Sequence, residues 1–337
     1  MTQNNSKRSP LVAAIAGAKG GVGKSMVTSN LGIQFAKEGL KVIILDLDLG
    51  ASNQHTLFGI SRSCRSWVNF LQGSKEPLSN FLTSTKQENL SVLPASGFIP
   101  EVAAISAEMK AHLISEIKAL DADVVLLDLG AGSHKDTLDF FSLADLKIIV
   151  TTAEQTALMN NFEFIKNIVY QLFLRLYKGY PHILPLLEKY KLSPKMSVDD
   201  LILKIQDVDP WLAENLKLAL ESLSISIVFN QIKRIEEAKF AIKLKRIAKN
   251  QLGIDLKYPG FVFYSEEISA SIQKMQPLSF ISPNTTPSQI FKRMARALLL
   301  NMKDEKTATG PITLAWDQLK KDFYKNRVDQ KKAKLSH

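Results

Sequence analysis

The sequence predicts an α/β fold: a doubly wound, mostly parallel sheet with flanking helices, plus a helical insertion and a C-terminal amphipathic helix. Three observations lead there. An apolar run, Leu11 to Gly17, is followed at once by a glycine-rich loop and then by a helix-like stretch from Met26 to Lys37. Later apolar runs such as Val42-Ile43-Ile44-Leu45 and Val124-Val125-Leu126-Leu127 are continuous, not alternating, which suits strands buried on both faces. Helical stretches separate these runs, and strands joined through helices pair in parallel, with ligands at their carboxyl ends.

In chain order, strands are predicted at 11–17, 41–46, 90–94, 123–128, 146–152, 224–230 and 256–263. The first helix has Val27, Leu31 and Phe35 at helical spacing. Residues 1–10 are polar and are expected to be disordered; the main domain is expected over 11–302. Between the helix beginning near Gln155 and the strand at 224 lie too many residues for one crossover, so 176–222 reads as a helical insertion on that domain. Ser197 with Asp200 is its capping-box signature. Asp209-Pro210 is an N-cap followed by a first-turn proline, and Trp211, Leu212, Leu216 and Leu220 give an apolar stripe. After a polar linker, residues 303–337 end in a basic amphipathic helix with Ile312, Trp316, Leu319 and Phe323 on one side and Lys320, Lys321, Lys325 and Arg327 beside them.

Composition narrows the function. A single cysteine, Cys64, excludes a disulfide framework and fits a reducing cytoplasm. No apolar run approaches transmembrane length. Lys7-Arg8 ahead of 11–18 has the outline of a signal peptide, but the glycine loop follows without a cleavage-type spacer, so the run reads as a first strand. The net charge of +10 is uneven: residues 289–337 hold 12 Lys/Arg against 5 Asp/Glu, and the body is close to neutral.

The chemistry is concentrated in Lys19-Gly20-Gly21-Val22-Gly23-Lys24-Ser25-Met26. A buried strand, a glycine loop and a helix N-terminus form a phosphate cradle, because freed backbone N–H groups and the helix dipole both point at the anion. Lys24 can reach the β- and γ-phosphates, and the Ser25 hydroxyl can ligate Mg²⁺. The general phosphate-loop pattern is missed by one residue, since Ala18 stands where its first glycine would be. Asp46 and Asp48 end the second strand and project to the same side. Asp128, in Leu127-Asp128-Leu129-Gly130, ends a later buried strand. As an alternative, either Asp46 or Asp48 could simply cap the following turn. The five histidines show no metal-ligand spacing.

The second lysine, Lys19, replaces the missing glycine signature, and on these residues the chain resembles the MinD/ParA family of deviant Walker A P-loop ATPases (SIMIBI type) over about 9–170 and 224–300. The resemblance implies ATP and Mg²⁺ as ligands and a dimer enclosing two ATP molecules, with Lys19 acting in trans on the partner's phosphates. It implies that Asp46 supports the Mg²⁺ sphere through water, that Asp48 orients the hydrolytic water and that Asp128 holds the Mg²⁺ shell. The Gly130 amide would sense the γ-phosphate, Glu154 would contact ribose or the partner's nucleotide, and Asn230 would read the adenine amide edge. Relatives that carry an iron–sulfur cluster need more than one cysteine. The segments Leu45 to Asn53, Asp128 to Gly132, Thr151 to Glu154 and Phe229 to Ile232 resemble the FlhG group most, ATPases that control flagellar number and placement. That group commonly carries an N-terminal helix acting on a partner GTPase, and residues 1–10 lack it.

Three outputs stay open on this reading. One is a flagellar or division-site ATPase cycling between cytoplasm and the inner face of the membrane, anchored by the C-terminal helix and answering to a flagellar GTPase, switch protein or regulator. The second is a partitioning ATPase whose basic helix, with Lys239, Lys243, Lys245, Arg246 and Lys249, binds DNA non-specifically. The third is a nucleotide-binding scaffold with little turnover.

Overall fold

The computed structural model describes residues 9–50, 52–61, 65–95, 105–193, 195–303 and 312–335. Cys64 and most of the expected N-terminal segment and linker lie outside them. The chain starts with β1 (Leu11–Gly17), α1 (Lys24–Lys37), β2 (Val42–Leu47), two single-turn helices α2 (Gln54–Leu57) and α3 (Val68–Leu71), β3 (Thr83–Ser84) and β4 (Leu90–Leu93). It continues with α4 (Ala107–Ala119), β5 (Val124–Ala131), α5 (Lys135–Leu143), β6 (Leu146–Thr151) and α6 (Gln155–Leu176). Then come α7 (Leu184–Leu192), α8 (Val198–Gln206), α9 (Pro210–Ser222), β7 (Ile225–Ile232), α10 (Lys239–Leu252) and β8 (Lys257–Phe263). The described chain closes with α11 (Glu266–Gln273), α12 (Leu278–Ile281), α13 (Thr286–Lys303) and α14 (Ile312–Leu335).

The strands form one eight-stranded sheet in the order β3-β4-β2-β5-β1-β6-β7-β8. Every neighbouring pair is parallel except the two-residue β3, which runs antiparallel to β4 at one edge. The sequence signal missed β3 because Thr83-Ser84 is too short to show any periodicity. Central strands are closed to water on both faces: Ala13 to Ala16 of β1 are fully buried, as is Val125-Leu126 of β5. Their unbroken apolar character follows from that placement.

The order β2-β5-β1 positions the site. β1 delivers the glycine loop, and its two sheet neighbours on one side end in aspartates. The β2–β5 register sets Asp46 directly opposite Asp128, while β1 sets Ile15 opposite Asp128. Two carboxylates are thus held side by side at the carboxyl edge, below the start of α1.

The helices between α6 and β7 share the main core and do not form a second one. Leu187, Tyr190, Leu201, Ile205, Leu212 and Leu216 are buried in the same continuous apolar cluster as the sheet. The Tyr177 hydroxyl reaches across to donate to the Leu212 carbonyl at 2.8 Å. The Ser197–Asp200 capping box forms in both directions, and the Asp209 side chain accepts from the Leu212 amide. Trp211, placed in the apolar stripe on sequence, is instead 65% exposed. It stands one helical step outside the inward face set by Leu212, Leu216 and Leu220.

The C-terminal helix packs on its own domain. Leu319 and Phe323 are buried, and Phe323 meets Phe263 of β8 edge-on with ring centroids 5.4 Å apart. Thr286 donates to Asp329 at 2.6 Å, and Gln330 donates to the Tyr264 carbonyl at 2.8 Å. The expected apolar stripe is therefore occupied by β8 at these two positions, while Lys320, Lys321, Lys325 and Arg327 face outward.

Candidate nucleotide site

The loop between β1 and α1 is shaped by its glycines. Gly21 and Gly23 have φ of 77° and 90°, in the left-handed region that only glycine occupies without strain. Helix α1 begins with Gly23 as its N-cap, with no capping side chain and no acidic residue in its first turn. Its first amides are left for an anion to satisfy. Asn230, buried at the end of β7, clamps the loop by donating from Nδ2 to the Val22 carbonyl at 2.8 Å. Gln231 donates to the Gly21 carbonyl at 3.2 Å. The resemblance assigned Asn230 to the adenine edge; the structure shows its amide on the loop backbone.

A Cβ at Gly23 would lie 2.3 Å from Asn230 Nδ2, on top of a positive φ. Gly23→Ala is expected to lower stability by about 1–3 kcal/mol through backbone strain, and to weaken nucleotide binding with it. Thermal unfolding with and without nucleotide checks this; an unchanged melting temperature would contradict the clamp.

Behind the loop lies a buried polar layer. Asp128 accepts from Gln54 Nε2 at 2.8 Å, from Thr28 Oγ1 at 3.2 Å and from the Ser25 hydroxyl. Burial raises the Asp128 pKa, opposed by these donors and by the nearby Lys24 ammonium. Asp46 is also raised, first by burial and then by the negative charge of Asp128 across the strand pair. Two adjacent buried carboxylates cannot both ionise without a compensating cation.

Asp46 spends its acceptors on the loop that follows it. Oδ1 takes the Asp48 amide at 3.1 Å, and Oδ2 takes the Ser52 hydroxyl at 2.7 Å and the Asn53 and Gln54 amides at 3.1 and 3.0 Å. The Trp67 indole donates to the Asp46 carbonyl at 2.8 Å, which locks the strand tip from the other side. The loop-capping alternative weighed on sequence is thus part of what Asp46 does.

Asp48 stands beyond this cap, at the rim of a cavity of about 950 Å³ that is also lined by Gly20, Gly21, Lys24, Ser25 and Gly130. A Cβ at Gly130 would come 3.6 Å from Asp48 Oδ1, so the β2 and β5 tips face each other there. Met26 and Gln231 line the same space. Lys19 leaves the loop toward solvent, where its ammonium pairs with Glu154 at 2.7 Å. Both side chains are about half exposed, at 44% and 57%. The lysine holds the Glu154 carboxyl below its usual pKa.

The structure therefore brings Lys24, Ser25, Asp46, Asp48, Asp128 and Gly130 to one edge and sets Lys19 and Glu154 on its outer rim. Sequence reading missed Thr28, Gln54, Trp67 and Gln231. Thr28 lies one turn beyond Lys24 on the same helical face, a spacing that could have revealed it. Gln54 and Trp67 reach the site by tertiary packing alone. Among the described residues no cluster of three or more His, Cys, Asp or Glu could hold a metal by itself.

A ParA family model, described as an NUBPL iron-transfer P-loop NTPase, matches residues 10–169. The septum site-determining protein MinD of Helicobacter pylori is 32% identical over 152 residues, 45% of this chain and 56% of that protein. The flagellum site-determining protein YlxH of the same organism is 30% identical over 155 residues, 45% of this chain and 52% of that protein. The matches span only about half the length of these curated relatives. Among solved structures, MinD of Pyrococcus horikoshii complexed with Mg-ADP has a TM-score of 0.57 at 19% identity, covering 88% of this chain and 99% of that one. The MinC:MinD complex of Aquifex aeolicus gives 0.58 at 20% identity, covering 86% of this chain and 96% of that one. The fold is that of MinD, and with its phosphate loop, paired strand-end aspartates and matching relatives the chain belongs to the ParA/MinD family of P-loop NTPases.

Proposed function

We propose that this protein is an ATP-controlled, dimerising switch ATPase that sets the place or number of a cellular structure. The observation that carries the reading is Lys19: a phosphate-loop lysine on the exposed rim, outside the buried ring of Lys24, Ser25 and Asp128, paired with Glu154 at 2.7 Å. A cation in that position is poised to leave Glu154 for the nucleotide phosphates of a second copy. Its charge would then reach the transferring phosphoryl group from outside, in the manner of an arginine finger.

The residues fit a Mg²⁺-bound triphosphate. The uncapped start of α1 and the left-handed glycines offer amides to phosphate, and Lys24 adds a buried ammonium. The Ser25 hydroxyl would ligate the cation, with Asp128 holding that hydroxyl and Asp46 fixing the neighbouring loop. Bound Mg²⁺ would neutralise charge on the phosphates and relieve the Asp46–Asp128 repulsion. Asp48 would orient the attacking water, and the Gly130 amide would meet the γ-phosphate. MinD of P. horikoshii, whose fold this chain shares, carries Mg-ADP.

The cellular output proposed is flagellar number or placement, on the motif segments and the relative YlxH; division-site control follows the MinD relatives equally in kind. The protein would cycle between cytoplasm and the inner face of the membrane, with a flagellar GTPase, switch protein or regulator as the protein partner. With Leu319 and Phe323 packed on β8, contact with anionic lipid would rest on the outward Lys320, Lys321, Lys325 and Arg327. Non-specific DNA binding is the partitioning alternative. Phosphate release measured alone, with anionic vesicles and with DNA separates these: the account expects slow Mg²⁺-dependent release, bound vesicles in ATP and little effect of DNA. Release that stays at buffer background under all three conditions would leave the scaffold.

A further inference from the structure

One buried polar group at the site has no use in the account above. Gln54 is fully buried at the start of α2. Its side-chain nitrogen donates to the Ser25 carbonyl at 3.1 Å and to Asp128 Oδ2 at 2.8 Å. Its backbone amide donates to Asp46 Oδ2 at 3.0 Å. One residue thus ties together the tips of β2 and β5 and the first turn of α1. Both partners of Nε2 are pure acceptors, so the orientation of the carboxamide is determined: the nitrogen faces them, and Oε1 is turned elsewhere. That oxygen is buried and accepts no hydrogen bond from the protein. A buried amide oxygen left without a donor is costly and calls for a partner from outside the chain.

We propose that Gln54 is a positioning residue for the divalent cation, its Nε2 fixing Ser25 and Asp128 while its Oε1 accepts from a water of the cation's coordination shell. This rests on the reading of the cavity as a Mg²⁺-nucleotide site. A hard, small cation keeps several waters, and those waters are donors that need acceptors. Partners behind the direct ligands set metal affinity by about 10–100-fold. Gln54 is suited to that work because one end of a single rigid amide holds two elements of the direct shell while the other end remains open. It also carries the signal backward: the same residue holds Asp46, so cation occupancy is felt in the loop that bears Asp48.

The test is the coupling between Mg²⁺ and nucleotide in the full-length protein. Affinity for a fluorescent ATP analogue is measured in excess Mg²⁺ and in EDTA, and the ratio of the two is the readout. Gln54→Met keeps the volume and removes both polar atoms; it is expected to shrink that ratio about tenfold or more, with affinity in EDTA within about twofold of wild type. Gln54→Glu keeps an oxygen acceptor and adds a charge beside Asp128; its ratio is expected to equal or exceed that of wild type, because Mg²⁺ neutralises the added repulsion. A residue that merely held the fold would lower both affinities together and leave the ratio unchanged, and that result in Gln54→Met overturns the proposal. Should Gln54→Met fail to fold, a ratio below wild type in Gln54→Glu does the same. Wild-type protein that binds the analogue with no Mg²⁺ dependence overturns this inference alone. Wild-type protein that binds no analogue overturns the reading of the cavity, and the inference with it.

Discussion

Asp48→Ala is expected to slow phosphate release by about 10²–10⁴-fold, the range for loss of a positioned acid–base group, while ATP binding is retained. The structure explains why the two effects should separate. The contact of Asp48 with the loop cap runs through its backbone amide, which donates to Asp46 Oδ1 at 3.1 Å. Alanine keeps that amide, so the path from Asp46 to Gln54 survives. What is lost is the carboxylate at the cavity rim, facing Gly130. The phosphate contacts of Lys24, Ser25 and the glycine loop lie on the other side and are untouched. A variant that binds but does not hydrolyse should accumulate in the ATP state and stay dimeric. Single-turnover phosphate release with parallel sedimentation checks both halves; hydrolysis at the wild-type rate would show that the water is handled by another group.

Lys24→Ala should act one step earlier. The Lys24 ammonium is buried, and it lies close enough to Asp128 to oppose the rise in that carboxyl's pKa. Removing it takes a charge-assisted contact from the phosphates, worth about 1.5–3 kcal/mol or roughly 10–100-fold in affinity. It also leaves the buried Asp46–Asp128 pair without its nearby cation. Asp128 should then take up a proton more readily, which weakens its hold on the Ser25 hydroxyl. The nucleotide-dependent dimer should be lost along with nucleotide affinity. Calorimetric titration with an ATP analogue reads this directly, and affinity within about twofold of wild type, far short of the loss a charged contact implies, would contradict the role given to Lys24.

The parts of the fold visible in the sequence were those with a local signal. Continuous apolar runs marked the seven longer strands, and Ser197, Asp200, Asp209 and Pro210 marked helix starts, because capping is decided within a few residues. The glycine loop was legible for the same reason: only glycine occupies the backbone region of Gly21 and Gly23 cheaply. Asp46 was found by position but only half understood. Its carboxylate could be read as a metal support or as a turn cap, and only the tertiary loop shows Ser52, Asn53 and Gln54 converging on it. Gln54 itself was not legible, since a lone glutamine in a loop carries no periodicity, and its meaning comes from Ser25 and Asp128, 29 and 74 residues away. Apolar stripes were the least certain signal. The same spacing of Leu319 and Phe323 serves a helix that packs on β8 as well as one that meets a membrane, and Trp211 fell outside its stripe by one helical step.

The Lys19–Glu154 pair links site to output. Both groups are solvent-screened, so the pair itself contributes little to stability. Its value on this account is positional: it keeps the lysine at the rim in the single chain and yields it at low cost when a second site approaches. The most direct measurement is therefore the mass of the wild-type protein in Mg²⁺-ATP and in Mg²⁺-ADP, by sedimentation at the same concentration. The account predicts a dimer with ATP under conditions where hydrolysis is slow and a monomer with ADP. A monomer in both, with the nucleotide demonstrably bound, would contradict it.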